Sequence, residues 1–312
     1  MRYLVLAAIG ALASILANRG IAVFNDGFRP IVPQFYDGQI SRKELATMSF
    51  AISFGLVIGF AIPTSIAASI ILIHCILLTT DIIGTFCPDS LVGTVIAGVV
   101  GAAYGVAILL GLESIVNLFG SLPFNFLANL GSVSSFVTAA FAIFPSVAVG
   151  YQHGFKKGAI AGLITLVVYL LTVKFGKFAL GDAKVALNGF GMAMLAGMVC
   201  LLAFATGVKG TGDANSSLVT TFGDKVKRIR ANWWLLAIMG GLVAMATSLG
   251  IVAGDPISLG LVSEGSWAEA AMVALARAIG FVPLVFTTAI VTGVYGPAGS
   301  TFVFVVGLLL HG

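Results

Sequence analysis

From Leu45 to Thr80 the chain runs for 36 residues without an Asp, Glu, Lys or Arg, and from Ala278 to His311 it does so again for 34. A helix rises about 1.5 Å per residue and a bilayer core is about 30 Å thick, so one straight crossing takes about 20 residues. Each run is too long for a single crossing and too apolar to emerge into water halfway. Both must therefore break or fold back inside the protein. The sequence places those interruptions at Pro63-Thr64-Ser65 and at Gly296-Pro297-Ala298-Gly299, where a missing backbone donor and free glycine torsions oppose a continuous helix.

The rest of the composition agrees. Charged residues make up 9% of the 312-residue chain and mean hydropathy is +1.10, against roughly 25% charged residues in a soluble domain. The short alternating segments of a membrane β-barrel are missing. The expected fold class is all-α, a polytopic transmembrane helical bundle of about 9–10 membrane segments including broken or re-entrant helices. Candidate spans are 3–17, 45–62, 66–80, 91–112, 136–150, 159–173, 189–205, 233–253 and the tract 266–311. Residues 3–17 read as a retained first span rather than a signal peptide. Residues 206–231 form the one long hydrophilic linker, dividing an N-terminal region, 1–205, from a C-terminal one, 232–312.

Loop charge sets the expected orientation. Segments 18–44, 151–158 and 206–231 hold four, two and five Lys/Arg, while 81–90 and 254–265 hold none. The positive-inside rule puts the first three in the cytoplasm. Parity then requires 114–135, with Asn117, Asn125, Asn129 and Pro123, to cross as a discontinuous span. The lysines of 174–188 fall outside, against the rule. Lys225-Val-Lys-Arg-Ile-Arg ahead of Trp233-Trp234 reads as a membrane-surface anchor.

No reactive constellation is present. Cys75, Cys87 and Cys200 lack metal spacing, His74, His153 and His311 are isolated, and Lys-Gly-Thr-Gly-Asp at 209–213 lacks the context of a phosphate loop. The reading is therefore not an enzyme, with no metal, no cofactor and no nucleic-acid partner. Polar groups inside apolar runs are the better lead, because each needs a partner or a wet cavity. Thr79-Thr80-Asp81 closes the first uncharged run and suits a cation or a polar solute; the bland alternative for Asp81 is a helix cap at the outer interface. Arg277 falls about three turns into a helix begun near Ser266, with Glu269 on the same face; it either holds an anionic group or snorkels to an interface. Asn125, Asn129, Thr287 and Thr288 complete the candidate binding set. Gly55/Gly59, Gly101/Gly105, Gly150/Gly154/Gly158/Gly162 and Gly250/Gly254 share the four-residue spacing of helix-packing stripes. In the motif loop Asn25-Asp26-Gly27-Phe28-Arg29-Pro30, a local Asp26–Arg29 pair is the simple reading, and Phe28, Phe35 and Tyr36 are apolar enough for part of the loop to tuck against the bundle.

Leu-Ala-Asn-Arg-Gly, Phe-Asn-Asp-Gly-Phe-Arg-Pro-Ile, Thr-Asp-Ile-Ile-Gly, Phe-Ala-Ile-Phe-Pro and Ala-Arg-Ala-Ile-Gly-Phe-Val-Pro-Leu, in this order, resemble the YhfT-type family of inner-membrane transport proteins nearly along the whole chain. The resemblance implies a multi-pass carrier in a bacterial inner membrane and supplies neither substrate nor catalytic residues. Family members run on beyond the equivalent of residue 312, which makes this chain an expected fragment or short form. The expected function is alternating-access transport of a small polar, anionic solute. The alternative is the membrane component of a phosphotransferase-type carrier, and a membrane scaffold or integral-membrane enzyme is the third class. Expected partners are the lipid bilayer and a small-molecule solute, with a second copy of the chain and a soluble cytoplasmic protein as further candidates.

Overall fold

The computed structural model describes residues 1–25, 27–123, 126–180, 183–206, 216–296 and 301–311. Helix α1, Arg2–Asn18, is followed by an irregular connection holding α2, Val32–Tyr36. Helix α3, Arg42–Leu56, passes through a π-helical turn, Val57–Ala61, into α4, Ile62–Ala68. The wider turn accommodates Pro63, which lacks the amide an α-helix needs. The break expected at Pro63 lies instead at Ser69, the one described non-glycine residue with positive φ, 57°. Strand β1, Ile71–Leu72, then leads into α5, His74–Phe86.

Two long helices follow, α6 over Leu91–Gly120 and α7 over Phe126–His153. Residues 114–135 are thus the adjoining ends of α6 and α7 and not a span of their own. Parity is kept another way. The α5–α6 turn lies beside the end of α1, because Asn18 Nδ2 donates to the carbonyl oxygens of Gly84 at 2.9 Å and Cys87 at 3.2 Å. Arg42, opening α3, donates to the same two oxygens at 2.7 and 2.9 Å. The run 45–80 leaves this end and returns to it. Turn 81–90 therefore shares the end of segment 18–44, not the opposite face that its lack of basic residues suggested.

Gly154, with φ of 91°, turns the chain into α8, Phe155–Phe175. Strands β2, Lys177–Leu180, and β3, Ala183–Ala186, pair antiparallel, so Lys177 and Lys184 of the lysine-bearing 174–188 segment stand on strands. Helix α9, Gly189–Thr206, returns to the basic end, where Phe204 lies 6.2 Å from the His153 ring and 5.4 Å from Lys157 Nζ. Helix α10, Ser216–Ala231, is amphipathic and joins α11, Trp233–Ser248, at a 53° bend. Strand β4, Val252–Ala253, α12, Pro256–Ser263, α13, Trp267–Thr292, and α14, Thr301–Leu309, complete the fold. Helix α13 runs through Pro283, and its break begins at Gly293, φ 68°.

Close backbone approach organises the centre. Helix α1 packs antiparallel along α6, where a Cβ at Gly10 would collide with the Gly101 carbonyl and one at Gly105 with that of Leu6. In lipid, such small-residue seams supply the van der Waals contact that hydrophobic burial supplies in water. Gly55 and Gly59, at the same spacing, have open space where a Cβ would stand. Among the described residues, Arg42–Ala68, Leu91–Gly120 and Phe155–Phe175 are long and apolar enough to cross a membrane, and the bent α10–α11 pair makes a fourth candidate.

Candidate functional site

Two broken helices meet inside the bundle. Ser69 ends α4 and Gly250, φ 68°, ends the α11 segment; each releases two extended residues that pair in parallel, Ile71 with Val252 and Leu72 with Ala253. Ile71 N donates to Ile251 O and Ile73 N to Ala253 O, both at 3.0 Å. Non-helical backbone deep in an apolar protein needs its polar groups satisfied internally, and this ladder does that. Just past the ladder, His74 opens α5, and Gly254 and Asp255 lead into α12.

The second start is built for charge. Asp255 caps α12, accepting from Ser258 N at 2.8 Å and from Ser258 Oγ at 2.7 Å. Pro256 at the first helical position has no amide to lose. Arg277, three turns into α13, reaches back so that Nη1 donates to Gly254 O at 2.8 Å and lies 3.4 Å from Asp255 Oδ2. Its guanidinium also stands over the Phe304 ring, 5.7 Å from the centroid. A Cβ at Gly254 would meet Arg277 Nη2 and the Phe304 ring at 2.6 Å, so only glycine lets the arginine in. Arg277 is 7% exposed and Asp255 1%. Among the described residues Arg277 Nε and His74 Nδ1 are buried without a hydrogen-bond partner, and His74 lies within electrostatic reach of both Arg277 and Asp255. At the other end of the strands, a cavity of about 350 Å³ lined by Arg2, Ser69, Glu113, Asn117, Gly250 and Ile251 opens onto the two turns.

The site predicted around Asp81 has a different geometry. Asp81 is fully buried in the middle of α5, and its oxygens accept from Phe24 N at 2.8 and 2.9 Å and from Asn25 N at 2.7 Å. It is a tether for the motif loop. Asn25 Oδ1 accepts from Gly27 N and its Nδ2 donates to Ser53 Oγ at 3.0 Å. Phe28 and Arg29 are buried, with the Arg29 guanidinium against Gly296, while Gly27 and Pro30 face outward. Above the tether a second parallel bridge joins Ala22 to Tyr295, each two residues past a positive-φ glycine, Gly20 and Gly293. Thr79 Oγ1 donates to Cys75 O and to the Tyr104 hydroxyl, and Thr80 Oγ1 to Leu77 O. These hydroxyls are engaged within α5 and with α6. Asp26 and Asn125 lie outside the described residues, as do the side chains of Asn129, Thr287 and Thr288.

The structure therefore joins Arg277 to partners the sequence did not suggest. Its acid is Asp255, 22 positions earlier, and not Glu269 on its own helix. Asp-Pro at 255–256 was a readable helix start. His74 stood out only as a polar residue within an uncharged run, and Gly250/Gly254 flank a strand and do not form a helix-packing stripe.

These features define a class: an all-α bundle of apolar helices, long enough in part to cross a membrane, broken where two chain reversals pair around a buried arginine–aspartate couple. Within that class the chain belongs to the YhfT family, described as a protein of unknown function, which matches residues 2–312. It is 34% identical over 325 residues to Uncharacterized protein YhfT from Escherichia coli (strain K12), covering 99% of this chain and 72% of that protein. No solved structure matches it.

Proposed function

We propose that this protein is an inner-membrane transporter that carries a small anionic solute by alternating access, with the β1–β4 crossing as its solute site. The observation that carries the reading is Arg277, deeply buried with Nε unpartnered among the described residues, at the junction where α5 and α12 begin. Helix N-termini carry partial positive charge, and broken helices direct it into the interior of a membrane protein, where it favours an anion. Arg277 adds a full charge in a planar fork suited to a carboxylate or an oxyanion. Asp255 holds that charge while the site is empty, and an entering anion would take over the free face of the guanidinium. The polar cavity lined by Arg2, Glu113 and Asn117 supplies an approach from one side.

The test is uptake of radiolabelled small carboxylates and inorganic oxyanions into proteoliposomes. Wild type concentrates at least one of them, and Arg277→Ala, verified as folded, loses that uptake by at least about tenfold, as removal of a buried charge contact requires. Equal uptake by Arg277→Ala would remove the site.

A further inference from the structure

The function of the junction leaves one group unused. His74 is the first residue of α5, three positions past Ile71 as Asp255 is three past Val252, and its buried Nδ1 has no partner among the described residues. We infer that His74 takes up a proton when an anion enters the junction, so that the solute crosses as a proton–anion pair. The inference rests on the anionic-solute reading above and adds the coupling ion to it.

In the empty junction Arg277 and Asp255 sum to zero, and a proton on His74 would place a second cation near the guanidinium in a low-dielectric interior, where like charges repel strongly. His74 is then neutral. An entering monoanion changes the balance by one unit, and the group in electrostatic reach able to answer it is the His74 imidazole, the side-chain type whose unperturbed charge change lies closest to neutral pH. Protonation gives the ring a second N–H donor, so that both nitrogens donate. The step moves a proton from solvent to His74 while the anion passes from solvent to the guanidinium, and the loaded junction is electrically neutral. A neutral complex crosses a bilayer interior at far lower electrostatic cost than a charged one.

Other titratable groups do not offer the same response. The charges acting on His74 are those of Arg277 on α13 and Asp255 at the start of α12. The π-helical turn presents the Phe60 ring, edge-on at 5.9 Å. On α6 the neighbouring Tyr104 hydroxyl donates to Cys75 O at 2.8 Å and accepts from Thr79, and Cys75 Sγ lies 3.3 Å from Ser65 Oγ. The charged residues of α3 stand at its start, beside Gly84 and Cys87, a full length of α5 away. By linkage, if the anion raises the proton affinity of His74, the proton raises the affinity for the anion by the same factor.

Calorimetric titration of the full chain in lipid nanodiscs tests this, with nitrate and methanesulfonate as probes because both are monoanions that stay ionised throughout. Titrations at about pH 5.5 and about pH 7.5, each in two buffers of different ionisation enthalpy, count the protons taken up. Wild type takes up about one proton per anion near the midpoint of its pH profile, and its affinity rises by up to about tenfold per unit of acidification. His74→Gln and His74→Asn, checked for a monodisperse folded state, bind without net proton uptake and with flat pH profiles. Proton uptake that survives in either variant assigns the proton elsewhere and overturns the inference. A pH-independent wild type whose binding is lost in Arg277→Ala overturns the coupling but keeps the anion site. Failure of wild type to bind either probe at both pH values removes the site and the coupling together.

Discussion

Arg277 and Asp255 approach to 3.4 Å with side chains 9% and 1% exposed, although they lie on different helices. A pair so enclosed is a weak source of net stability, but breaking it leaves one uncompensated charge, at a cost of about 3–5 kcal/mol. Asp255→Ala should therefore lower the melting temperature in detergent far more than a surface substitution. Adding Arg277→Met to it should recover much of that loss without recovering uptake. A double variant no more stable than Asp255→Ala would show that the couple is not the reason for the fall.

Gly254 tests the same couple through its backbone. A methyl group there meets Arg277 and Phe304 at 2.6 Å, and overpacking of this kind costs about 1–3 kcal/mol. Gly254→Ala is expected to impair uptake as severely as Arg277→Lys does, because both move the guanidinium off the junction. Full uptake by Gly254→Ala would show that the arginine can sit elsewhere and still work.

The Asp81 tether predicts an effect on the motif loop. Hydrogen bonds to a charged acceptor are each worth about 1.5–3 kcal/mol, and Asp81→Asn exchanges one acceptor oxygen for a donor that faces the same backbone amides. The loop should loosen. A cysteine at Val32, 2% exposed in the folded loop, should label slowly in an otherwise wild-type chain and at least about tenfold faster with Asp81→Asn, a factor equal to about 1.4 kcal/mol. Equal labelling rates would mean that other contacts hold the loop.

A latch at the basic end is sensitive to alkali. Arg228 of α10 donates to Gly20 O at 2.9 Å and stands 4.6 Å over the Tyr36 ring, which packs against Gly20. Desolvation raises the Tyr36 phenol above its usual value, and Arg228 opposes this in part. A phenol whose folded value is raised contributes stability that is complete below the unfolded value, about 10, and is lost as pH rises through the folded one. Spin labels on α10 and on α1 should report a fixed distance at neutral pH that broadens above about pH 10. Tyr36→Phe should abolish that broadening, and Arg228→Ala should produce it already at neutral pH.

The four-residue glycine pairs give a direct comparison. Gly105→Val should block the α1–α6 seam and reduce the yield of folded protein, since the new side chain meets the Leu6 carbonyl. A Cβ at Gly55 or Gly59 meets nothing within 4 Å, and Gly55→Val and Gly59→Val should fold normally. The spacing is the same in all three cases, so a similar loss in Gly59→Val would show that spacing alone matters.

Much of this architecture was legible because its cause is local. Uncharged runs and proline and glycine positions led to an all-α bundle with broken helices, and they left Arg277 with two readings, an interior anchor for an anionic group or a snorkelling side chain, between which the structure decides for the interior. The misread features share one cause. The Ser69 break, the return of turn 81–90 to the end of segment 18–44 and the Arg277–Asp255 couple depend on which distant segments meet, and a polar residue in an apolar run does not announce its partner. Asp81 looked like a ligand because its hydrogen-bond donors, the backbone amides of Phe24 and Asn25, have no side-chain signature at all.

The sequence by itself determined the medium, because a chain with so few charges can satisfy its backbone in lipid only by helices that pair their own N–H and C=O groups. It also determined that two runs had to break. Tertiary structure alone decided where the breaks meet. Parallel pairing of Ile71–Leu72 with Val252–Ala253 requires two unrelated stretches to arrive in register, and that meeting brings the start of α5, with His74, and the cap of α12, Asp255, within reach of Arg277.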